Sequence, residues 1–385
     1  MINLCMITHD QFEKKDPRAD LIRFKSLGKA LSVSCAEVVV IGTNDRMRYE
    51  ERRSSEGNLC KVPLFSKNHF VQLVGFYLVF LPVLFRAKRW GPFHIIFVNS
   101  VFTVPGALLL KWVLGGSLIQ FDLMGILSLE RFAKNPKHGW NVFAKKALVV
   151  LENFLWSRVD FITTINEQHR RLLEERIRRP VHVVRDGVFE ETYKHLPARS
   201  QDRSGASRTV LIFVGQINYF RLDPLFKILP ALTAELPTLH VKVLGTGPQL
   251  KRYQEMAASA GLQERVTFLG HVPHEEIFEH IVQADIAYSD DWSIHGFPMK
   301  LFDYMAMGTA IVVQETEGVR ELMVDGVNAL LYRDSTELKE KVLALARDEE
   351  LRRRLGENAR RMMDQHTWEK RCDELESLYS RLLAE

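Results

Sequence analysis

The stretch from Asp285 to Leu331 constrains the fold most, because an apolar helix stands there between two apolar strands. Pro298 is near the first helical position and Gly308 lies just past the last, which is the usual placing of these residues around a helix. The helix is apolar almost all round, so we expect it to be largely buried. We predict, in order, a strand, a loop, a helix and a strand over Asp285–Asp291, Trp292–Gly296, Phe297–Met307 and Thr309–Gln314.

Two charged residues, Lys300 and Asp303, stand three positions apart and so lie on one stripe of this helix. Buried charges are costly unless they are paired or used for function. One interpretation is an ion pair between Lys300 and Asp303 at the protein surface. The other is a helix whose N-terminus faces an anion such as a phosphate. The free N–H groups and the positive end of the helix dipole would then bind that anion.

The run from His295 to Gly308, followed by an apolar strand, resembles the donor-site pattern of GT-B glycosyltransferases of family 4, the glycosyl transferases group 1. That pattern is Glu-Gly-Phe-Pro, an apolar helix carrying a second Glu, then Gly and a strand. Glu317–Glu321 and Asp325–Asn328 are similar to its continuation. His295 here replaces the first Glu, which in the family contacts the transferred sugar. Asp303 stands for the second, which binds the ribose hydroxyls.

The resemblance implies an α/β chain with the GT-B fold, in which two Rossmann-like, doubly wound parallel-sheet domains face a central cleft. A length of 385 residues agrees with two domains. Leu196–Ser207 has the Ser, Gly, Pro and charge content of a linker. We predict an acceptor-side domain, a linker, a nucleotide-sugar donor domain and a C-terminal helix that crosses back to the first domain, over residues 1–198, 199–207, 208–365 and 366–385.

The composition is that of an ordinary globular protein, with 46% apolar and 26% charged residues. A net charge of +4 permits a basic face without requiring nucleic acid, and we predict no nucleic-acid partner. The four cysteines have neither metal-site nor disulfide spacing, which fits a reducing compartment, so we expect a cytoplasmic location. Asp290 and Asp291 are not a spaced Asp-x-Asp pair, and we predict no metal and no other cofactor.

The N-terminal half opens as a strand–helix–strand unit, which indicates a parallel sheet. Its first loop carries Asp16 and Arg18 and takes the place of the family's acceptor loop, so we include both as acceptor-side candidates. Arg18 or Arg23 could meet an acceptor, the alternative being a solvated loop charge. Asp122 ends a predicted strand, where ligands gather in parallel sheets, and is a candidate for acceptor contact and catalysis. The family places a His before this Asp, where the present sequence has Phe121.

The most hydrophobic run, Phe70–Phe85, is shorter than the roughly 20 residues of a membrane span, and Pro82 interrupts it. Basic residues and Trp90 follow at once, a mix found in segments at a membrane interface. A buried helix that covers a sheet is the alternative, and both descriptions can hold for one helix. We therefore include a membrane surface, contacted through Phe70–Trp90, among the expected partners, with a peripheral position on the inner face of the membrane.

The second half begins a new sheet, whose first strand ends at Gly215. The family's next loop holds an Arg and a Lys that grip the donor diphosphate. Gln216 replaces that Arg and Arg221 replaces the Lys, so Lys300 would supply further charge. Gly245 opens a Gly-x-Gly turn without the third glycine of a dinucleotide site, and by resemblance it lets the backbone approach the donor. The resemblance gives these donor-binding candidates: Gly215, Gln216, Arg221, Gly245, Val272, His295, Gly296, Phe297, Met299, Lys300, Leu301 and Asp303.

The resemblance implies a metal-independent, hexosyltransferase-type enzyme that moves a sugar, with retention, from a nucleotide-diphosphate sugar to a glycan or polyprenyl-linked acceptor. The catalytic candidates are Asp122, Arg221 and Lys300, the last two by stabilising the departing diphosphate. Two alternatives stay open. One is a sugar-nucleotide epimerase of the same architecture. The other is a non-catalytic partner that keeps the fold, which the departures at Phe121, Gln216 and His295 favour.

Overall fold

The computed structural model describes residues 2–11, 19–44, 50–54, 57–63, 92–130, 139–194, 208–218, 221–290 and 297–385. Outside these ranges lie the candidates Asp16, Arg18, His295 and Gly296, the segment Phe70–Trp90 and the predicted linker at 199–207. The chain forms two compact units, Met1–Arg185 with Trp368–Glu385, and Asp186–Thr367. The sequence placed the first boundary at 198–208, whereas the contacts divide the chain at 185 and 186.

The first unit is built on a sheet that has eight strands within the described ranges. They are β1 Asn3–Gln11, β2 Glu37–Asn44, β3 Glu50–Ser54, β4 Gly57–Pro63, β5 Ile95–Val98, β6 Leu118–Leu123, β7 Phe161–Thr164 and β8 Val181–Val183. Their spatial order is β3-β4-β2-β1-β5-β6-β7-β8, and all neighbours run parallel except the antiparallel pair β3 and β4. The order of the strands reverses between β1 and β5, as it does at the switch point of a Rossmann-like sheet.

Helices connect these strands, as parallel neighbours require. They are α1 Ala19–Ser34, α2 Val104–Leu114, α3 Leu127–Glu130, α4 Gly139–Trp156 and α5 Glu167–Arg176. α5 begins after Asn166, whose side chain accepts a hydrogen bond from the His169 N–H. No helix in the described part of the chain is both long and apolar enough to cross a bilayer.

The second unit contains a parallel sheet with six described strands. They are β9 Thr209–Val214, β10 Leu239–Leu244, β11 Val266–Gly270, β12 Ile286–Ser289, β13 Ala310–Gln314 and β14 Leu330–Tyr332. Their order, β11-β10-β9-β12-β13-β14, is that of a doubly wound Rossmann sheet, with its switch point between β9 and β12. In such sheets, ligands bind outside the carboxyl ends of the strands at the switch point.

Helices cover both faces of this second sheet. They are α6 Glu190–Tyr193, α7 Asp223–Glu235, α8 Leu250–Ser259, α9 His274–Val282, α10 Met299–Met307, α11 Glu317–Arg320, α12 Ser335–Arg347 and α13 Glu349–Met362. Alternate residues of β13 point to opposite faces of the sheet. Ala310 and Val312 pack in the hydrophobic core on one face, and Ile311 and Val313 pack in the core on the other. A strand buried on both faces defines a doubly wound sheet. The predicted α/β fold class is confirmed.

The chain ends in α14, Trp368–Leu382, which belongs to the first unit and packs on α1. The Ser34 hydroxyl and the Cys372 thiol lie 3.2 Å apart at this contact. The Tyr379 hydroxyl donates a hydrogen bond of 2.6 Å to the buried Gln120 side chain of β6. The buried contact between Tyr379 and Gln120 fixes the register of α14 on the first unit, because a shift of the helix would leave both side chains without this hydrogen bond.

Candidate active site

Three glycines meet at the carboxyl ends of β9, β10 and β11. The Gly215 N–H donates to the Leu244 carbonyl at 2.9 Å, and the Gly245 N–H donates to the Gly270 carbonyl at 2.7 Å. A Cβ atom on Gly245 would lie 1.9 Å from the Gly215 carbonyl oxygen, and the φ of Gly245 is +135°. Only glycine fits this position. The loops that contain Gly215 and Gly245 therefore approach each other closely, and backbone atoms line this edge of the sheet.

Two cationic side chains belong to the same edge. Lys300 is in the first turn of α10, and its Nζ lies 4.4 Å from the centre of the Phe213 ring, a cation–π distance. The same Nζ would be 3.6 Å from a Cβ on Gly215. Arg221 follows β9, and its N–H donates to the Asn218 carbonyl at 3.2 Å. Lys300 Nζ and Arg221 Nε are both shielded from solvent.

The N-terminus of α10 fits an anion. Pro298 is its N-cap and has no side chain that could accept a hydrogen bond, and the Pro298 carbonyl accepts one of 2.9 Å from the Leu301 N–H. The helix begins at Met299, two residues later than predicted, because Pro298 is extended, with a ψ of 125°. It ends at Gly308 in the left-handed conformation with a φ of 66°, as predicted.

Two predicted donor-binding residues of this segment are core residues. Phe297 is 7% exposed and packs on Phe302, with the ring centres 4.8 Å apart. Leu301 is fully buried in the same core. Donor binding by Phe297 and Leu301 stays a prediction, and the structure places both side chains in the core. They hold α10 against the sheet and thereby set the direction of its N-terminus.

Asp303 lies one turn further along α10 and is 13% exposed. Its nearest cationic partner is His274, the first residue of α9, with 3.8 Å between Nε2 and Oδ2. The predicted alternative of an ion pair with Lys300 at the surface is therefore wrong. Burial raises the pKa of the Asp303 carboxyl from 3.8 to about 6, and the nearby His274 opposes that rise.

His274 was missed by the sequence reasoning. It follows β11 closely, at the edge of the sheet that also holds Gly245. A polar residue just after a predicted strand and a proline was the available signal, since polar residues at the carboxyl ends of parallel strands face ligands. The ring packs edge-on against Phe278, 5.2 Å between centres, which restricts its orientation beside Asp303.

A buried tyrosine supports the loop that carries Arg221. The Tyr288 hydroxyl lies 3.4 Å from the Arg221 carbonyl and 3.4 Å from Asp290 Oδ2, and it accepts a hydrogen bond of 3.2 Å from Tyr332. Burial raises the pKa of Tyr288 well above its ordinary value, so its hydroxyl stays a donor. The sequence reasoning missed this contact too, because a tyrosine in a strand predicts packing alone.

The other donor candidates lie on neighbouring loops. The Gln216 side-chain oxygen Oε1 accepts a hydrogen bond of 2.8 Å from the Asn218 side-chain amide, within the loop after β9. Val272 follows β11 and packs partly against a core of the second unit. Met299 is half-buried at the start of α10. The predicted residues found at this edge, which we call the donor edge, are Gly215, Gln216, Arg221, Gly245, Val272, Met299, Lys300 and Asp303.

Asp122, in the first unit, lies in the interior rather than at a surface. Its carboxylate accepts hydrogen bonds from Arg23 Nε at 2.7 Å, Arg23 Nη2 at 3.0 Å and the Thr163 hydroxyl at 2.7 Å. The two side chains of the ion pair are 2% and 0% exposed. Arg23 also donates to the Val184 carbonyl at 2.8 Å, so neither its predicted contact with an acceptor nor a solvated charge agrees with the structure. A role of Asp122 in catalysis or in acceptor contact stays a prediction.

In the part of the chain that the structure describes, no three His, Cys, Asp or Glu side chains come together as a metal site requires. Independence from metal stays a prediction. The cationic residues at the donor edge are instead Lys300 and Arg221, which suit an anionic ligand by their charge.

Comparison with known proteins agrees with this geometry. Residues 198–362 match the family described as Glycosyl transferases group 1. An uncharacterized glycosyltransferase of Methanocaldococcus jannaschii is 23% identical over 343 residues, which cover 77% of this chain and 85% of that protein. The match with the family includes the whole donor edge.

Solved structures extend the agreement to the whole chain. Sucrose-phosphate synthase from Thermosynechococcus elongatus aligns with a TM-score of 0.80 at 17% identity, covering 100% of both chains. Anabaena HepE in complex with UDP aligns with a TM-score of 0.74 at 14% identity, over 99% of this chain and 100% of that one. At these identities the likeness establishes the fold. The chain therefore has the GT-B fold, and its residues 198–362 match the glycosyl transferases group 1 family.

Proposed function

We propose that the protein transfers a hexose from a nucleotide-diphosphate sugar to a glycan or lipid-linked acceptor, with retention of configuration and without a metal ion. The observation that carries the proposal is that two cationic side chains, those of Lys300 and Arg221, belong to the donor edge, with Lys300 Nζ and Arg221 Nε buried. Cationic groups at the switch point of a parallel sheet suit a diphosphate, because ligands gather there and Arg and Lys side chains bind phosphate oxygens.

The two cations and the N-terminus of α10 would hold the diphosphate. The Arg221 guanidinium can bind phosphate oxygens in a fork, and Lys300 adds a point charge beside Gly215. Negative charge grows on the diphosphate as the bond to the sugar breaks. Groups that are already in place stabilise that charge without reorganisation. Removing one such group typically lowers turnover about 10²–10³-fold.

Asp303 would bind the ribose. In its ionised form the carboxylate accepts hydrogen bonds from two neighbouring hydroxyl groups. His274 lies beside it and favours that form. Anabaena HepE was solved with UDP, which supports a nucleoside diphosphate as the ligand of a site in this fold. Gly245 and Val272 would face the nucleoside, since Gly245 follows β10, the neighbour of β9, and Val272 follows β11, the next strand beyond β10.

For the acceptor we favour a lipid-linked glycan, and for the location the cytoplasmic face of a membrane. The basis is the sequence of Phe70–Trp90, an apolar run followed by basic residues and Trp90. A lipid-linked acceptor presents its sugar at the membrane surface, so a peripheral enzyme would meet it there.

The test is a calorimetric titration of the whole chain with the diphosphates of uridine, guanosine and adenosine and their common sugar conjugates. We expect one nucleotide to bind selectively, with affinity reduced at least about tenfold by Arg221→Ala. Glu340→Gln, an exposed charge change in α12, is the matched control. Transfer assays would then include a chelator, which should leave turnover unchanged.

Three other results would contradict the proposal. Silence across the panel in a folded sample would favour a non-catalytic partner. A nucleotide sugar that binds but is never consumed, with a range of acceptors offered, would favour the same conclusion. Conversion of the donor alone into a new sugar nucleotide would indicate an epimerase.

A further inference from the structure

One helix of the first unit exposes an apolar face. Along α4, five large apolar side chains are between 41% and 68% exposed. Four of them are three, four or seven positions apart and therefore share one side of the helix, and the fifth, Val142, adjoins that side. An isolated exposed apolar residue needs no explanation, but a contiguous row marks an interaction surface. The five residues, which we call the α4 face, are Val142, Phe143, Val150, Leu151 and Phe154.

Basic residues accompany the α4 face. Lys146 lies within the row, between Phe143 and Val150, and Lys145 precedes it. At the far end, the Arg158 guanidinium lies 4.8 Å from the centre of the Phe154 ring. The long aliphatic stems of such residues can lie along an apolar surface while the charged heads reach a polar layer.

A further basic residue is fixed at the same end of the helix. Arg179 donates two hydrogen bonds to the Ser157 carbonyl, the one from Nε being 3.0 Å long. Between residues 142 and 158 the sequence has a single carboxylate, Glu152. That side chain is fully buried and paired with Arg176 at 2.9 Å. No carboxylate of α4 therefore faces outward beside the α4 face.

We propose that the α4 face lies on an anionic membrane surface, with its apolar side chains in the headgroup boundary and the basic residues against lipid phosphates. An amphipathic helix with basic residues on its flanks has the composition of an interfacial helix. The helix does not have the length and apolarity of a membrane span. A second copy of this chain is a poorer occupant, because the same basic residues would then meet each other.

Vesicle sedimentation tests this without any sugar donor, so its outcome is independent of the proposed activity. The whole chain should bind vesicles of equal parts phosphatidylcholine and phosphatidylglycerol, and bind phosphatidylcholine alone far more weakly. Binding should fall at about 1 M salt, where the screening length is about 3 Å. Replacing Lys145 and Lys146 by Gln should weaken binding about fivefold for each lysine.

The decisive variant is Phe143→Gln/Val150→Gln/Phe154→Gln, expected to weaken vesicle binding about tenfold or more. Val33→Gln is the matched control, because Val33 is a large apolar residue 87% exposed on α1. Circular dichroism should show both variants folded, since the replaced side chains are exposed.

Three outcomes would overturn the proposal. The triple variant could bind vesicles as the unmodified chain does, which would assign the membrane contact to another segment such as Phe70–Trp90. Neutral and anionic vesicles could bind the chain equally. Sedimentation velocity could show that the triple substitution converts a dimer into a monomer, which would make the α4 face an interface between two copies.

Discussion

Replacing Asp303 by Asn should stabilise the protein at neutral pH while it weakens nucleotide binding. The folded state holds the Asp303 proton up to a pKa of about 6, whereas the unfolded chain releases it near 3.8. Folding therefore favours the neutral carboxyl. The stabilising effect of the neutral form is complete below pH 3.8 and is lost as the pH rises through about 6.

The size of the effect follows from the two values. A difference of one in pKa between the folded and unfolded states corresponds to about 1.4 kcal/mol. The pKa of Asp303 rises from 3.8 to about 6, so ionised Asp303 lowers the free energy of unfolding by about 3 kcal/mol at neutral pH. Asn is uncharged at every pH and avoids this penalty. The stability gain of Asp303→Asn should be about 3 kcal/mol near pH 7.5 and about half of that near pH 5, where less of the folded state is ionised.

Urea unfolding of both chains between about pH 5 and pH 8, without nucleotide, measures the gain. Calorimetry at the same pH values measures nucleotide affinity, which in the unmodified chain should fall below about pH 6 as Asp303 gains its proton. Glu340→Gln removes one charge at an exposed position and serves as the control. A variant that is less stable at every pH would refute the burial argument. Undiminished nucleotide affinity would refute the ribose contact.

Three further substitutions test the remaining geometry. Gly245→Ala places a Cβ 1.9 Å from a carbonyl oxygen at a left-handed φ, so we expect a loss of stability of about 1–3 kcal/mol and of nucleotide binding, measured by urea unfolding and calorimetry. Asp122→Ala leaves Arg23 buried without its carboxylate and should lower the free energy of unfolding by about 3–5 kcal/mol in chemical denaturation. Tyr288→Phe removes the hydroxyl beside the Arg221 carbonyl and should cost about 1 kcal/mol of stability and weaken binding of the diphosphate, which titration of the variant measures.

Much of the second unit could be predicted, because its local signals agree with its tertiary structure. The run Leu239–Leu244 alternates apolar with polar residues over its first four positions and is bounded by turn residues, and the strand has those bounds. Gly308 ended α10 where a left-handed residue was required. The boundary missed was the start of α10, where Pro298 was placed inside the helix although its extended ψ makes it the cap. Proline fixes φ alone, so the sequence leaves the two positions equivalent.

The first unit was less predictable, because its polar residues are matched by partners far away in the sequence. Asp122 follows the pattern of a ligand-facing strand end, but its carboxylate meets Arg23, 99 positions earlier. No local pattern distinguishes a carboxylate that faces a ligand from one that faces a buried guanidinium. The same holds for α4, whose exposed apolar row has the periodicity of a core helix. Phe143 and Val150 are exposed in the structure. Their exposure depends on which elements pack beside α4, and the local sequence does not specify those elements.

Two buried carboxylates in this chain therefore support opposite conclusions, and their surroundings are the reason. Asp122 accepts three hydrogen bonds of 2.7 to 3.0 Å from protein donors, so its charge is matched within the fold. Asp303 has an imidazole at 3.8 Å and a raised pKa, so ionising it destabilises the folded protein without a ligand. A structural carboxylate gains stability from its partners. The proposed ribose contact requires a carboxylate of this second kind, on the helix that carries Lys300 and near a sheet switch point, because the hydroxyl groups of a bound nucleotide would satisfy it.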